Sequence, residues 1–439
     1  MKKVVKFGGS SLANAEQFKK VGAIIRGDKS RKYVVPSAPG KRFSHDTKVT
    51  DMLYSCYESA VNGEDFSDQF AQIRERYQEI IEGLNLSFSL EDDFDKICED
   101  FSNGAGQDYA ASRGEFLNGK IMAAYLDYEF IDAADAVRFD DDGSFNADET
   151  NRLLSETLKN RENAVVPGFY GAKENGEVVT FSRGGSDITG SLVALAIGAD
   201  LYENWTDVSG FLIADPRIVK HPKSIETITY KELRELSYMG ASVLHEDAIF
   251  PVRKAGIPIN IRNTNAPDDA GTLIVESTCR QPKYTITGIA GTDGFAAVTV
   301  EKAMMNSEIG FCRKVLQIFE DNGVSIEHMP SGIDTMSIFV NKDSFEEKEQ
   351  KILSDINKTV NPDHIELESD LALIAVVGRG MKSTRGTAGR IFSALAHAHI
   401  NVKMIDQGSS ELNIIIGVRH EDFKDAIRAL YEIFVLTQI

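Results

Sequence analysis

The stretch VVKFGGSSL, at residues 4–12, joins a short apolar run to a turn of two glycines and two serines. The apolar run is typical of a buried strand, and the helical pattern AEQFKKVGAIIR follows the turn at residues 15–26. A glycine-rich turn between a strand and a helix commonly meets phosphate in α/β proteins. The lysine inside the apolar strand, Lys6, is the second feature that needs an explanation.

The same alternation of strands and helices continues to about residue 280. The runs KYVVPSA, VVPGFYGA, VVTF and IPINIR are typical of buried strands, and DMLYSCYESAV and ITGSLVALAIGAD have helical periodicity. This alternation predicts an α/β fold with a mostly parallel central sheet and helices on both faces. Residues 65–103 break the pattern, because they contain two amphipathic helical segments with no strand between them. We interpret them as a helical excursion from the sheet.

The composition is that of a globular protein with several cores. The chain has 439 residues, of which 42% are hydrophobic and 26% charged, and at roughly 100–200 residues per domain it should form several domains. The net charge of −19 repels nucleic acid and anionic lipid, so neither is expected as a partner. The four cysteines form no CxxC pair, and no stretch has the length of a signal peptide or membrane span. These features predict a cytoplasmic protein.

An internal repeat follows residue 283. Residues 310–340 and 386–416 align without a gap, so that Gly310 matches Gly386. Each copy has the pattern of a strand, a glycine turn, a helix, a strand, a hairpin and a final strand. The repeat predicts two copies of one small α/β module, and the alternative is a coincidental likeness between two ordinary βαβ units.

The glycine turn after the first strand lacks two common nucleotide-binding patterns. Neither GxxxxGK[ST] nor GxGxxG with a downstream acid fits the residues around Gly8 and Gly9. The turn is compatible with a short anion nest, in which the backbone N–H groups of Gly8, Gly9 and Ser10 point at one phosphate. Lys6 would lie at the carboxyl end of its strand, where ligands bind in open α/β sheets. The alternative is an edge-strand lysine that reaches solvent.

A second glycine-rich turn, FSRGGSDITGSL at residues 181–192, opens a strongly apolar helix. Ser186 or Asp187 fits the N-cap of that helix. Arg183 precedes the two glycines and could hold a carboxylate or a phosphate in a bidentate fork. The alternatives are a plain helix cap for Asp187 and a surface ion pair for Arg183.

Two further motifs follow this helix. The stretch NWTDVSGFLIADPR at residues 204–217 contains Thr206, Asp207 and Arg217, although its Asp-Pro pair also fits a plain turn. The stretch MGASVLHEDAIFPV at residues 239–252 contains His245, which we interpret as a structural histidine near a helix end.

Taken in order, these motifs resemble those of aspartate kinases. They are KFGGSS, TKVTDML (47–53), SRGEFLNGKI (112–121), SRGGSDITGSL, WTDVSGFLIADPR and MGASVLHEDAIFPV. The first and fourth motifs alone would indicate only the wider amino-acid kinase superfamily. The other motifs narrow the resemblance, as do the paired C-terminal modules, which look like ACT domains. The resemblance covers essentially the whole chain.

The resemblance implies that MgATP phosphorylates the side-chain carboxylate of L-aspartate, giving 4-phospho-L-aspartate and ADP at the start of lysine, threonine and methionine biosynthesis. It implies a catalytic domain at residues 1–283 and a regulatory region at 284–439. ACT1 would span about 298–365, and ACT2 would span about 366–439 plus the strand 284–297, with one unit inserted into the other. It also implies a homodimer or homotetramer built through the ACT domains, with feedback by an end product such as lysine or threonine.

In the family pattern the catalytic pair corresponds to Lys6 and Asp187. The acceptor carboxylate is already ionised near neutral pH, so it needs no general base, and the chemistry depends on positioning and charge neutralisation. Lys6 would stabilise charge on the transferring phosphoryl group, and Asp187 would orient Lys6. Magnesium is expected on the ATP phosphates and water rather than in a dedicated protein site.

The other implied site residues divide into an aspartate set and an ATP set. Arg183 resembles the residue that grips a substrate carboxylate, and Glu115 the residue that meets the α-ammonium. The smaller polar contacts to aspartate would come from Ser37, Thr50 and Ser186. The implied ATP contacts are Lys6, Gly8, Gly9, Thr206, Asp207 and Arg217. Without the resemblance, Glu115 would fit an exposed helix glutamate and Ser37 a turn serine.

Two positions depart from some relatives. Leu212 stands where some of them have an aromatic residue, and Asn265 stands where some have a lysine. The second departure removes a possible phosphate contact, so Asn265 is not assigned to the ATP site.

The resemblance places an amino-acid effector site in the first ACT unit. Its residues would be Met305, Gly310, Ser325, Ile326 and Glu327. Gly310 would leave a helix N-terminus open to a carboxylate. Glu327 could accept an amine, which favours lysine over threonine, and the alternative is a Glu327 that is only solvated.

Two other functions fit parts of the sequence. One is another enzyme of the amino-acid kinase fold, acting on glutamate, acetylglutamate or a nucleotide, and the tandem ACT modules and the SRGE motif argue against it. The other is a non-catalytic amino-acid sensor. The presence of Lys6, Arg183 and Asp187 argues against that function.

Overall fold

The computed structural model describes residues 1–182, 184–241, 244, 248–278 and 283–437. The chain divides into two compact units. The first unit comprises Met1–Phe211, Ser224–Tyr230 and Val243–Thr278, and the second comprises Leu212–Lys223, Lys231–Ser242 and Cys279–Ile439. Two segments before residue 283 therefore belong with the C-terminal region, and the expected domain boundary at that residue stays a prediction. Within the described ranges, no helix has the length and apolar character needed to cross a membrane.

The centre of the first unit is an eight-stranded sheet. The strands up to residue 278 are β1 (Lys3–Phe7), β2 (Arg31–Pro36), β3 (Glu129–Phe130), β4 (Ala164–Val165), β5 (Tyr170–Ala172), β6 (Val178–Thr180), β7 (Leu201–Thr206), β8 (Thr227–Thr229), β9 (Ile259–Asn263) and β10 (Thr272–Val275). The spatial order is β3-β4-β2-β1-β7-β9-β10-β8. Among these strands β9 and β10 pair antiparallel and the other neighbours pair parallel. The predicted mostly parallel sheet is confirmed, although the VVTF strand, β6, pairs with β5 in a separate hairpin.

Helices surround this sheet. Those of the first unit are α1 (Ala15–Arg26), α2 (Val49–Val61), α3 (Ser67–Gly83), α4 (Glu91–Ser102), α5 (Gln107–Leu126), α6 (Ala133–Ala136), α7 (Ala147–Leu158), α8 (Gly185–Ala196) and α10 (Phe250–Lys254), whereas α9 (Tyr230–Tyr238) belongs to the second unit from Lys231 onward. Helix α1 begins where the Asn14 side chain accepts a hydrogen bond from the Gln17 N–H at 3.0 Å, which satisfies one of the unpaired first-turn donors. The sequence prediction of this helix is confirmed.

The predicted helical excursion at residues 65–103 is also confirmed, since it consists of α3 and α4. Both helices are amphipathic, and their apolar faces meet through the edge-to-face ring pairs Phe70–Phe94 and Phe70–Phe101. They join a core shared with α1, α2 and α5. The excursion is therefore packed against the elements that carry the active-site motifs.

The second unit contains a six-stranded antiparallel sheet in the order β12-β13-β11-β14-β16-β15. Its strands are β11 (Gly288–Glu301), β12 (Ile326–His328), β13 (Thr335–Asn341), β14 (His364–Val377), β15 (Met404–Asp406) and β16 (Asn413–Arg419). Its helices are α11 (Phe311–Asp321), α12 (Lys342–Phe345), α13 (Glu349–Val360), α14 (Thr387–His397) and α15 (Phe423–Tyr431). Both β11 and β14 are 14 residues long and pair with each other along most of their length.

These two long strands explain the sequence repeat. The C-terminal half of β11 pairs with β13, whereas the C-terminal half of β14 pairs with β16. Each half supports one strand–helix–strand module, and the chain of the first module runs between the two shared strands. Helices α11 and α14 begin immediately after Gly310 and Gly386, which both have φ of +81°. Glycine tolerates this left-handed conformation, so the predicted correspondence of these two residues has a physical basis.

Candidate active site

Lys6 and Asp187 form an ion pair at the carboxyl edge of the central sheet. The Lys6 Nζ lies 2.6 Å from the Asp187 Oδ1, and both side chains are largely buried. Lys6 belongs to β1, which pairs with β2 on one side and β7 on the other. This interior position excludes the edge-strand alternative. The anionic partner that a buried lysine requires is Asp187.

The first turn of α8 presents Asp187 to Lys6. The helix cap is Gly184, at φ of +58°, and the Asp187 N–H donates to the Gly184 carbonyl at 2.9 Å. The prediction that Ser186 or Asp187 is the N-cap is therefore wrong. The physical reason is that Gly184 adopts a left-handed conformation, which starts the helix early and leaves the Asp187 carboxylate free for Lys6.

Asn204 is a member of this site that sequence reasoning missed. It lies on β7 directly opposite Lys6 in the strand register, and its Nδ2 donates to the Asp187 Oδ1 at 2.8 Å. Asp187 thus receives both an ammonium and an amide donor on the same oxygen. Asn204 is the first residue of the NWTD motif. Because side chains alternate between the two faces of a strand, the sequence would have placed Asn204 on the same face as Thr206.

The glycine turn is shaped by the backbone that surrounds it. The Gly8 N–H donates to the Trp205 carbonyl at 3.0 Å, so this N–H is already used by a contact with β7 and is not free for an anion. The ATP contact expected of Gly8 stays a prediction. The Ser11 N–H donates to the Gly8 carbonyl at 3.0 Å. Among the described residues, the N–H groups of Gly9 and Ser10 have no acceptor. They remain the donors available to an anion.

Gly9 and Gly8 differ in the space around them. A Cβ on Gly9 would lie 2.8 Å from the Ala38 carbonyl oxygen, closer than side chains pack, so Gly9 is required by a close backbone approach. A Cβ on Gly8 would lie 3.7 Å from both the Lys6 Nζ and the Trp205 carbonyl oxygen, an ordinary contact distance. Gly8 therefore has room for a methyl group beside Lys6.

Glu115 lies within α5 and is 6% exposed, so the exposed-glutamate alternative is wrong. Burial raises the pKa of its carboxyl to about 7, while a hydrogen bond from the Ala38 backbone and the charge of Lys6 act in the opposite direction. Its Oε2 has no hydrogen-bond partner among the described residues. A buried, unpaired carboxyl oxygen of this kind is suited to an ammonium group.

The three smaller predicted substrate contacts belong to three different parts of the first unit. The Ser37 N–H donates to the Phe7 carbonyl at 3.0 Å, and the Ser37 carbonyl accepts from the Asn118 Nδ2 at 2.6 Å. Ser186 is buried in the first turn of α8, and Thr50 lies in the first turn of α2. The structure does not describe Arg183 or His245, so the expectations for these two residues lie outside the described part of the chain.

The predicted ATP residues after β7 fall into different units. Thr206 ends β7, and its Oγ1 donates to the Asp207 Oδ1 at 3.2 Å. Arg217 belongs to the second unit, where its Nη2 lies 2.6 Å from the Asp215 Oδ2 and its side chain is 86% exposed. Asn265 accepts a hydrogen bond from the Lys20 Nζ at 3.1 Å. The ATP roles of these residues stay predictions.

Comparison with known proteins relates this geometry to a family. The family model of the amino acid kinase family matches residues 1–263, and an ACT domain model matches residues 374–434. Aspartokinase 3 of Bacillus subtilis (strain 168) is 41% identical over 448 residues, which cover 98% of each chain. The chain belongs to the aspartate kinase family. Its members are phosphotransferases with a carboxyl group as acceptor, and the resemblance found in the sequence is confirmed.

Solved aspartate kinases share the fold. That of Clostridium acetobutylicum, described as an allosteric enzyme, has a TM-score of 0.90 at 53% identity and covers 99% of this chain and 100% of its own. Escherichia coli aspartokinase III in complex with aspartate and ADP has a TM-score of 0.71 at 23% identity, covering 99% of each chain. In complex with lysine and aspartate it has a TM-score of 0.73 at 24% identity, covering 98% of this chain and 99% of its own.

The predicted effector residues of this aspartate kinase lie around the start of α11 and β12. The side chain of Met305 is buried in the hydrophobic core of its module. Gly310 caps α11, and a Cβ built on it would meet nothing within 4 Å. Ile326 and Glu327 belong to β12, and Ser325 precedes it.

Glu327 has a partner that sequence reasoning missed. The hydroxyl of Tyr238, the last residue of α9, donates to the Glu327 Oε2. This hydrogen bond raises the pKa of Tyr238 to about 12. Glu327 is therefore not merely solvated, and an amine that binds it would compete with Tyr238. No sequence signal connects the two, since they are 89 residues apart.

The described residues contain no group of three or more His, Cys, Asp or Glu side chains that could hold a metal ion. The expectation that magnesium binds the ATP phosphates and water stays a prediction.

Proposed function

We propose that the chain transfers the γ-phosphoryl group of ATP to the side-chain carboxylate of L-aspartate, giving 4-phospho-L-aspartate and ADP. A carboxylate oxygen attacks the γ-phosphorus, and the bond to the β,γ-bridging oxygen breaks with its electron pair leaving on ADP. The observation that carries the proposal is the Lys6–Asp187 pair, at 2.6 Å, beside the glycine turn at the carboxyl edge of the sheet. The aspartate and ADP bound by the Escherichia coli relative support the same substrates.

Lys6 supplies the positive charge for the transfer. Its ammonium stabilises the charge that spreads over the phosphoryl oxygens in the transition state. Asp187 and Asn204 hold the lysine in place, because Asp187 accepts from both side chains on one oxygen. No base is assigned, since the carboxylate acceptor of aspartate is ionised near neutral pH.

The glycine turn holds the γ-phosphate end of ATP. The free N–H groups of Gly9 and Ser10 are its donors, and the tight contact between Gly9 and the Ala38 carbonyl keeps the turn in one position. Bound magnesium would neutralise phosphate charge during the transfer. Thr206, Asp207 and Arg217 are assigned to ATP on the family pattern.

Glu115 recognises the α-ammonium of aspartate. Its buried carboxyl has one unpartnered oxygen, and an arriving ammonium would favour its ionised form. Arg183 is assigned to a substrate carboxylate on the family pattern, and Ser37, Thr50 and Ser186 are assigned to smaller polar contacts. This set gives a charged anchor to the ammonium and to one carboxylate of the amino acid.

An amino-acid effector, lysine in preference to threonine, regulates the enzyme through the ACT region. Gly310 leaves the N-terminus of α11 unobstructed, and Glu327 presents a carboxylate on β12. The lysine complex of the Escherichia coli relative supports this choice. The ACT sheet would also carry the contacts of a homodimer or homotetramer. The expected place of the reaction in lysine, threonine and methionine biosynthesis and a cytoplasmic location stay predictions.

The test is ADP release by the purified protein with MgATP and L-aspartate, compared with the Lys6→Ala variant. We expect aspartate-dependent turnover that falls by about 1,000-fold in Lys6→Ala, because a preorganised charge at the transferring group is lost. Lys19→Ala, which removes an exposed lysine of α1, is the matched control and should behave as wild type. Turnover with glutamate but not aspartate would contradict the proposal, as would amino-acid binding without any ADP release.

A further inference from the structure

Arg76 is a buried arginine of the helical excursion that no family motif contains. Its side chain is 3% exposed, and it lies on α3 among apolar residues of the first unit. The Nη1 donates to the Thr47 carbonyl at 2.7 Å and lies 3.1 Å from the Asp46 Oδ2, while the Nη2 donates to the Gly40 carbonyl. One guanidinium therefore ties together both ends of the loop between β2 and α2.

This loop contacts the phosphate turn directly. The Gly40 N–H donates to the Gly9 carbonyl at 2.8 Å, and a Cβ on Gly40 would lie 2.6 Å from the Gly9 carbonyl carbon and 2.7 Å from the Ser10 nitrogen. Two backbones in such contact, with no side chain between them, move together. The Gly40 carbonyl accepts a hydrogen bond from Arg76, and the Gly40 N–H donates one to Gly9. A single residue therefore links the guanidinium to the glycine turn.

The neighbouring residue extends the same support to the substrate side. The Tyr77 hydroxyl donates to the Gly114 carbonyl at 2.7 Å, immediately before Glu115. Arg76 and Tyr77 are consecutive residues of α3. Arg76 bonds to the backbone beside the glycine turn, and Tyr77 bonds to the backbone beside the proposed ammonium site. This arrangement gives the excursion a role that simple core packing would not require.

We propose that Arg76 is a positioning residue for phosphoryl transfer, which sets the place of the Gly9–Ser10 N–H groups through Gly40. The inference rests on the proposed function, because it assigns those groups to the γ-phosphate. Arginine is suited to the task, since its planar fork reaches two carbonyls and a carboxylate at once, whereas a lysine ammonium is a single point charge. Asp46, which also pairs with Arg42, compensates the buried charge.

The test compares Arg76→Met and Arg76→Lys with wild type and with Arg74→Met. Arg74 is the matched control because it lies on the same helix but points to Glu91 and Asp95 of α4. For each protein the affinities for ADP and for adenylyl imidodiphosphate, both with Mg²⁺, are measured by calorimetry, together with kcat and the melting temperature. The two nucleotides differ in the γ-phosphate that the turn is proposed to hold.

We expect kcat to fall by about 10- to 100-fold in Arg76→Met, because displacements of about 1 Å cost that much. The affinity for adenylyl imidodiphosphate should fall with it, while the affinity for ADP stays within about twofold of wild type and Arg74→Met is unaffected. Arg76→Lys keeps the charge beside Asp46, so it should fold and show the same selective loss.

If Arg76→Met lost affinity equally for both nucleotides and its melting temperature fell as well, Arg76 would have only a structural role. That result would overturn the proposal. A folded Arg76→Lys with wild-type kcat and wild-type preference for the γ-phosphate would also overturn it, even if Arg76→Met fails to fold. Failure of the proposed function would look different, because wild type itself would then show no aspartate-dependent turnover.

Discussion

Lys6 and Asn204 lie opposite each other on the neighbouring strands β1 and β7, and both side chains donate to the same oxygen of Asp187. The arrangement couples a sheet register to a helix terminus, since Asp187 belongs to the first turn of α8. A change on any one of the three residues therefore alters the geometry of the other two.

We predict that Asn204→Ala lowers kcat with little effect on stability. Asp187 would lose its amide donor and hold Lys6 less firmly, and we expect kcat to fall by about 10-fold, the effect of losing one hydrogen bond of about 1.4 kcal/mol. Asn204→Asp should be worse, because a second carboxylate beside Asp187 adds repulsion. Steady-state kinetics and thermal unfolding of both variants test this, and a wild-type kcat in Asn204→Ala would show that Asp187 does not need the amide.

The raised pKa of Glu115 should make the stability of the protein depend on pH. Its folded pKa of about 7 lies above the ordinary glutamate value of 4.5, because burial disfavours the charged form. The stabilising contribution of the protonated carboxyl is fully present below pH 4.5 and is lost as the pH rises through about 7. We expect the wild type to lose about 3 kcal/mol from this group by pH 8.5, at 1.36 kcal/mol for each pKa unit.

The Glu115→Gln variant should lack that loss. Urea unfolding between pH 5 and 8.5 measures the free energy of unfolding of both proteins. We expect this free energy to depend less on pH in the variant than in wild type. The same variant should raise the KM for aspartate without a matching change for ATP, because the ammonium loses its counter-charge. Parallel pH profiles for the two proteins would mean that Glu115 titrates outside this range.

The two glycines of the turn should respond differently to alanine. Gly9→Ala places a methyl group 2.8 Å from the Ala38 carbonyl oxygen, so the turn or the facing loop must move, and we expect a lower melting temperature and about 100-fold lower kcat. Gly8→Ala makes only ordinary contacts, at 3.7 Å, and its φ of −70° suits alanine. Its melting temperature should match wild type, and an equal loss of stability in both variants would argue against the close approach at Gly9.

Tyr238→Phe should sensitise the enzyme to its effector. The variant removes the hydroxyl that donates to Glu327 and leaves this carboxylate free for an amine. We expect half-maximal inhibition at about 2- to 10-fold lower lysine concentration, the effect of one hydrogen bond of 0.5–1.5 kcal/mol. Turnover without lysine should not change. Glu327→Gln is the companion variant and should be less sensitive than wild type, whereas equal sensitivity of all three proteins would place the amine site elsewhere.

Local sequence patterns were sufficient for most of the fold. The alternation of apolar runs and helical periods predicted the mostly parallel sheet, the paired helices α3 and α4, and helix α1 at residues 15–26. The repeat that begins at Gly310 and Gly386 predicted two related modules. These features depend on residues a few positions apart in the chain. Over that range, hydrophobic periodicity, helix capping and glycine conformation determine the local structure. For the same reason the burial of a charged Lys6 in a strand could be recognised as needing an anion.

The contacts that complete the sites could not be predicted in this way. Asn204 reaches Asp187 across 17 residues, Arg76 reaches Gly40 across 36, and Tyr238 reaches Glu327 across 89. Sequence spacing carries no information on such pairs, because they are brought together by strand register and helix packing. The burial of Glu115 and the glycine cap that displaced Asp187 from its expected place likewise follow from packing. The residue types and their local elements were thus encoded along the chain, whereas their partners depend on how the elements fold against one another.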